Sequence, residues 1–201
     1  MKHPFQDLIV EGQSAPNAKP SIDSLKVVFS KEILNEYIPI WQKVEANYGI
    51  KLLALIMAQK EGFEKGSRSY RTNNPANMGN VDSGVNVSFP TLKAGIEHQI
   101  KTLTRIANGN HKAYPLNKTV NLKPFYSKEI AANKSTYQLE PWCPGYKFYY
   151  TGRLDQFIKI YATGPRQKNT YLSLIRSYFK NQGFEIEDST TLQTILEIDG
   201  K

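Results

Sequence analysis

Glu61 is the residue in this 201-residue chain whose position most clearly suggests acid chemistry. It lies near the end of an apolar segment, Ile50 to Gly62, which predicts a central buried helix that stops at Gly62. At such a helix end the carbonyl dipoles and the apolar surroundings both favour a protonated carboxyl group. General-acid cleavage of a glycosidic bond requires that form. The alternative is a solvated glutamate beside Lys60 at a frayed helix end.

A polar loop follows Glu61 in the sequence. Residues 69–80 combine a tyrosine, an arginine and several asparagines, which offer neutral hydrogen-bond donors and acceptors. Such groups suit the hydroxyls and acetamides of sugars. The predicted saccharide-binding residues of this loop are Tyr70, Asn73, Asn74 and Asn77. The alternative is that asparagine and proline only build turns here.

A second carboxylate could complete the chemistry. Asp82 and Glu64 are the nearest downstream candidates, and a short hairpin is predicted at 81–85. From that hairpin Asp82 could position water or stabilise positive charge on the sugar, so it is the second predicted catalytic residue. The alternative is that Asp82 only begins a tight turn with Ser83 and Gly84.

The remaining reactive residue types are isolated in the sequence. Cys143 is the only cysteine, so it forms no intrachain disulfide, and without a nearby histidine it predicts a packed thiol. His3, His98 and His111 show no metal-ligand spacing. We therefore expect neither a metal nor a cofactor.

The charge balance predicts an anionic partner. The chain has 26 basic and 18 acidic residues, a net charge of +8, which favours nucleic acid, anionic lipid or bacterial wall polymer. Nucleic acid is not expected, because only six of the basic residues are arginine and no nucleic-acid-binding motif accompanies them. No apolar run is long enough to cross a bilayer, and the first residues lack a secretion signal. We expect synthesis in the cytoplasm and no membrane insertion.

Helical periodicity covers most of the chain. Beyond the buried segment it predicts a helix from Ser30 that Pro39 divides into two pieces, the second ending at Gly49. Further helices are predicted after a Thr91 cap, over 154–161, over 171–179 with a stop at Gly183, and within 190–198. Residues 109–150 are rich in aromatic residues and are predicted to be irregular. The predicted fold class is mainly α, with at most a small β element.

Composition divides the chain into three parts. Residues 1–24 are rich in turn formers and predict an extended N-terminal arm. Residues 25–183 form the predicted domain, which includes the aromatic insert at 109–150. Residues 184–201 form a predicted C-terminal tail with a short helix. Six aromatic residues at 137–150 either widen a saccharide groove or form a local core under a long loop.

Four segments, in order, resemble bacterial and phage glucosaminidases and other lysozyme-like peptidoglycan hydrolases. The first runs from Ile38 to Gly62 and ends in Ala-Gln-Lys-Glu, similar to the family motif that delivers the catalytic acid. Residues 70–78 are similar to the Asn-Asn-Pro-Gly-Asn-Ile loop of phage lysozyme-like proteins, and 89–96 to the segment that follows it. Residues 161–165, Tyr-Ala-Thr-Gly-Pro, resemble the Tyr-Ala-Thr-Asp-Pro motif of glucosaminidases.

The resemblance implies a lysozyme-like α+β fold, with a small β-hairpin beside the active-site cleft. It implies that Glu61 is the catalytic acid and that Tyr161 lines the cleft. The implied activity is cleavage of β-1,4 bonds between N-acetylglucosamine and N-acetylmuramic acid in peptidoglycan, by a phage endolysin or virion-associated lysin. Such a protein reaches the wall through lysis-associated release or as part of a virion, where other virion proteins are partners.

The chain departs from the family at several positions. Gly62-Phe63 follows the acid where many relatives have a sequence such as Ser-Gly-Trp, and Ala76 replaces the usual glycine. The insert at 109–150 has no counterpart. Lytic transglycosylation is an alternative within the same fold, and a virion protein that grips the wall without cutting it is an alternative of a different class.

Overall fold

The computed structural model describes residues 29–79, 86–121, 147–162 and 165–199. The N-terminal arm, the hairpin predicted at 81–85 with Asp82, and residues 122–146 of the aromatic insert lie outside this described part. The side chains of 165–168 also lie outside it.

Helices dominate the described residues. A π-helical turn, Ile33–Tyr37, runs directly into α1. The helices are α1 (Ile38–Trp41), α2 (Tyr48–Lys60), α3 (Arg68–Arg71), α4 (Leu92–Ala107), α5 (Leu154–Tyr161), α6 (Pro165–Asn181) and α7 (Leu192–Leu196). Strands β1 (Lys118–Asn121) and β2 (Lys147–Tyr150) pair antiparallel, with Lys118 opposite Tyr150. The prediction of a mainly α fold with a small β element is confirmed at this level.

The position of the sheet corrects one prediction. Both strands lie inside 109–150, the segment expected to be irregular. Each strand has only four residues, and only Val120 in β1 and Tyr150 in β2 are buried. With one buried side chain per strand, the alternation of polar and apolar residues that marks a strand is too short to see in the sequence.

Helix α2 forms the centre of the core, as predicted. Its buried residues run almost without interruption from Gly49 to Ala58, and it packs against α4, α6 and α7. Gly62 ends it with φ +66°. The amide of Phe63 donates to Ala58 O at 3.2 Å and that of Gly62 to Gln59 O at 3.1 Å, the two hydrogen bonds of a Schellman motif. Glu61 is therefore the C-cap residue of α2, directly before the glycine that ends the helix.

The first helical region begins where the sequence predicts, but its predicted end at Gly49 is wrong. Ser30 caps the helix as predicted, since its Oγ accepts from the Ile33 amide at 3.2 Å. However, the second piece, α1, has Pro39 in its first turn and ends at Trp41, and Gly49 lies in the first turn of the next helix, α2. A Cβ on Gly49 would lie 2.0 Å from Ile195 O. The glycine therefore allows α7 to approach α2 closely, a role that only tertiary structure reveals.

Residues 184–199, predicted as a tail, pack on the core. Leu192 and Ile195 of α7 are 1% and 0% exposed, and α7 contacts both α2 and α4. The Leu192 amide donates to Gly152 O at 2.8 Å, which ties α7 to the segment before α5.

Buried tyrosines predict loss of stability in alkali. Burial raises the pKa of five nearly inaccessible tyrosines above the ordinary value near 10: Tyr37, Tyr114, Tyr150, Tyr171 and Tyr178. Above pH 10 the unfolded chain loses these protons and the folded chain keeps them. The free energy of unfolding therefore falls as pH rises, by up to about 1.4 kcal/mol per pH unit for each such tyrosine.

Urea denaturation between pH 8 and 11 measures this fall. Tyr150→Phe is the matched variant, because the Tyr150 hydroxyl has no hydrogen-bond partner among the described residues. We expect this variant to keep its stability at pH 8 and to show a shallower decline above pH 10. A free energy of unfolding that stays constant from pH 8 to 11 would contradict the burial of these phenols.

Candidate active site

Glu61 lies at the carboxyl end of α2 with both carboxylate oxygens engaged. It is half-buried, and its amide donates to Met57 O at 2.9 Å. Oε1 accepts a hydrogen bond from the Tyr171 hydroxyl. Oε2 accepts from Nδ2 of Asn77 at 3.1 Å. Two side chains from distant parts of the chain therefore hold the carboxylate in one orientation.

Tyr171 reaches Glu61 from α6 and is 1% exposed. Burial, together with the neighbouring Tyr161 and Glu61, raises the pKa of Tyr171 well above 10. Its hydroxyl therefore keeps its proton at working pH and acts as a donor to Glu61. The Lys60 ammonium lies 5.2 Å from the centroid of the Tyr171 ring, within the range of a cation–π interaction.

Asn77 reaches Glu61 from the polar loop. Its backbone has φ +52°, a left-handed conformation that asparagine tolerates better than most residues. Nε of Arg68 donates to Asn77 Oδ1 at 3.3 Å. Because that contact takes the amide oxygen, the amide nitrogen faces Glu61. Arg68 therefore orients Asn77 toward Glu61, and the predicted role of Asn77 in saccharide binding stays a prediction.

Asn73 and Asn74 hold the loop together instead of presenting free amides. Asn74 is 1% exposed; its Oδ1 accepts from the Met78 amide at 2.9 Å, and its Nδ2 donates to Met78 O and Val87 O. Nδ2 of Asn73 donates to Phe89 O at 3.0 Å. The structure thus corrects the predicted saccharide contact of Asn74, because a buried and satisfied amide cannot reach a sugar. The turn-building alternative describes Asn74, whereas the predicted saccharide contact of the half-buried Asn73 stays a prediction.

Tyr161 supports the same loop from α5. Its hydroxyl donates to Ala76 O, next to Asn77. Its ring stacks on Phe157 at 5.8 Å and meets Tyr171 edge-on, with centroids 5.9 Å apart. Burial and the nearby Glu61 raise the pKa of Tyr161 well above 10. Tyr161 therefore lies in the cluster around Glu61, with its hydroxyl bound to the protein backbone. Its predicted role in lining a saccharide cleft stays a prediction.

Tyr70 contacts a different carboxylate. Its hydroxyl lies 3.1 Å from each carboxylate oxygen of Glu36, and its ring lies 5.3 Å from Phe63. The hydrogen bond to Glu36 raises the pKa of Tyr70. The predicted role of Tyr70 toward sugar stays a prediction, since its described hydrogen bonds go to Glu36.

Sequence reasoning assigned no role to two members of the site, Tyr171 and Arg68, although Tyr171 stands in a segment that resembles glucosaminidases. Tyr171 sits in the apolar stripe of α6, where a tyrosine is indistinguishable from a core residue. Arg68 stands in a four-residue helix whose first turn is capped by Ser67, which accepts from the Tyr70 amide. No periodic pattern is long enough to reveal that helix.

Gly95→Ala is expected to loosen the loop that carries Asn77. A Cβ on Gly95 of α4 would lie 1.8 Å from Asn73 O, so the helix or the loop must move. Helix propensity alone predicts that alanine stabilises by about 1 kcal/mol. We expect instead a loss of about 2 kcal/mol in the free energy of unfolding, from overpacking. Urea denaturation measures the sign, and a stabilised variant would contradict this contact.

Within 29–79, 86–121, 147–162 and 165–199, no group of three or more His, Cys, Asp or Glu residues is placed to hold a metal ion. No helix in the part of the chain that the structure describes is long and apolar enough to cross a membrane.

Comparison with known protein families, curated proteins and solved structures gives no significant match.

Proposed function

We propose that the protein is a peptidoglycan-degrading glycosidase that cleaves β-1,4 bonds between N-acetylglucosamine and N-acetylmuramic acid, with Glu61 as general acid. The observation that carries the proposal is the pair of hydrogen bonds on Glu61. A half-buried carboxyl group at the end of the core helix is held by Tyr171 on one oxygen and Asn77 on the other. The four family-like segments of the sequence support the same activity.

The chemistry assigned to Glu61 is proton donation to the leaving sugar oxygen as the glycosidic bond breaks. After the transfer Glu61 carries a negative charge. The Tyr171 hydroxyl and the Asn77 amide both donate to that carboxylate, so they stabilise the charge that forms during the reaction. Both donors are neutral; they orient the carboxyl group and favour the ionised form that remains after proton transfer.

The second catalytic group is assigned to Asp82 or to the substrate itself. Asp82 lies outside the described residues, so its proposed role rests on sequence alone. Some glycosidases use the acetamide of the substrate in place of a second carboxylate, and a single glutamate then suffices. Product analysis separates these routes from lytic transglycosylation: anhydro-muramyl ends indicate transglycosylation, and reducing ends indicate hydrolysis.

Turbidity of purified cell walls tests the proposed activity. We expect the wild-type protein to clear the suspension. Retention on walls without clearing would instead favour the non-catalytic virion protein that grips the wall. Stronger salt-sensitive retention on DNA than on wall fragments would favour a nucleic-acid binder.

The proposed site of action is the bacterial wall. The net charge of +8 concentrates the protein on an anionic polymer. Release during phage lysis, or incorporation into a virion beside other virion proteins, is the proposed route to that wall. Both routes follow from the family resemblance.

A further inference from the structure

An open groove lies at the opposite end of α2 from Glu61. It has a volume of about 870 Å³ and runs between the segment before α2 and one face of α4. Asn47, which precedes α2, lines it, so the groove lies about 20 Å from Glu61 along the helix axis, at 1.5 Å per residue. Four apolar side chains line it: Ile40, Val44, Ala46 and Ile100.

The rim of this groove is cationic. Its charged residues are four basic side chains, all exposed, and two acidic ones: Lys43, Lys93, Lys101, Arg105, Glu45 and Glu97. Glu97 lies 3.7 Å from Lys93 in an ion pair. Acidic charge therefore offsets only half of the basic charge around the groove.

Two histidines, His98 and His111, lie near the basic residues of the rim. Burial lowers the pKa of His98, and Lys101 and Arg105 lower it further. Burial also lowers the pKa of His111, with Arg105 and His98 adding to the effect. Lys101 and Arg105 place two exposed positive charges on the carboxyl half of α4, which an anionic ligand would complement.

We propose that this groove binds the acidic stem peptide of peptidoglycan while Glu61 acts on the glycan strand. The chemistry of this ligand follows from the groove lining. The small apolar side chains of the stem peptide match the apolar wall of the groove, and its carboxylates match the lysine and arginine rim. A phosphate polymer would satisfy the rim but has no apolar side chains for the wall of the groove. The inference rests on the proposed function, because it places a second contact on the same substrate.

Sedimentation with purified peptidoglycan, freed of other wall polymers, tests the groove. All proteins carry Glu61→Gln, so that the wall stays intact. One adds Lys101→Glu and Arg105→Glu on the rim; the matched control adds Lys31→Glu and Lys180→Glu, both exposed positions that are not part of the groove lining. Both variants lower the net charge equally, and we expect the rim variant to bind about tenfold more weakly than the control.

The source of the acidic group is tested by removing the stem peptides with an amidase. On stripped glycan strands we expect the rim variant and the control to bind equally. Equal binding on intact peptidoglycan, or a rim defect that persists on stripped strands, would overturn the proposal. Binding is measured without cleavage, so a failure of the groove and a failure of glycosidase activity are separate results.

Discussion

Glu61→Gln is expected to reduce wall-clearing activity by about a thousandfold. Glutamine keeps the shape of the side chain but has no proton to give to the leaving oxygen, and general acids contribute roughly 10²- to 10⁴-fold to such reactions. Initial rates of turbidity loss on purified walls measure the effect. The free energy of unfolding should stay within about 1 kcal/mol of wild type, as is usual when a mutation creates neither a cavity nor a buried charge.

Glu64→Gln is the matched control for this variant. Glu64 lies three residues further along the chain and is exposed, and it was the other candidate carboxylate near the helix end. We expect it to clear walls at the wild-type rate. If the Glu61 variant kept full activity, or if both variants lost activity equally, the assignment of the acid would be wrong.

Tyr171→Phe is expected to lower kcat by about ten- to a hundredfold, the range for losing a hydrogen bond to a charged group. The substitution removes the hydroxyl that donates to Glu61 Oε1 and keeps the buried ring. Tyr171 is nearly inaccessible, so it acts on Glu61 and not on the sugar. KM should therefore stay close to wild type. Steady-state kinetics on a soluble chitooligosaccharide or muropeptide substrate separate the two constants.

Tyr178→Phe provides the comparison for Tyr171→Phe. Tyr178 lies two turns further along α6, is also buried, and its hydroxyl has no hydrogen-bond partner among the described residues. We expect it to retain wild-type kcat. A tenfold loss in this control would show that α6 tolerates no tyrosine-to-phenylalanine change. A wild-type kcat in Tyr171→Phe would show that the hydroxyl does not support Glu61.

Local sequence patterns were sufficient where structure depends on short-range interactions. The apolar run of α2, its stop at Gly62, and the caps at Ser30 and Thr91 were all predictable, because each depends on residues within one or two turns. Glu61 could therefore be placed at the end of the core helix from sequence alone. Asn77 could be placed in the following loop, because its type and spacing suggested a polar cluster.

The features that sequence patterns missed depend on contacts between residues that are far apart in the chain. Gly49 looked like a helix stop and proved to be a close approach between α2 and α7, which lie far apart in the chain. Asn74 looked like a sugar-binding amide and proved to be fully used inside its loop. Tyr171 looked like a core residue, and only the fold shows that its hydroxyl reaches Glu61.

Mass spectrometry of purified peptidoglycan after digestion tests directly whether Glu61 drives glycan cleavage. We expect soluble fragments with newly formed sugar ends in the wild-type digest, and almost none in a parallel digest with folded Glu61→Gln protein. Fragments released with intact glycan strands and cut peptides would contradict it. So would identical sugar ends from both proteins.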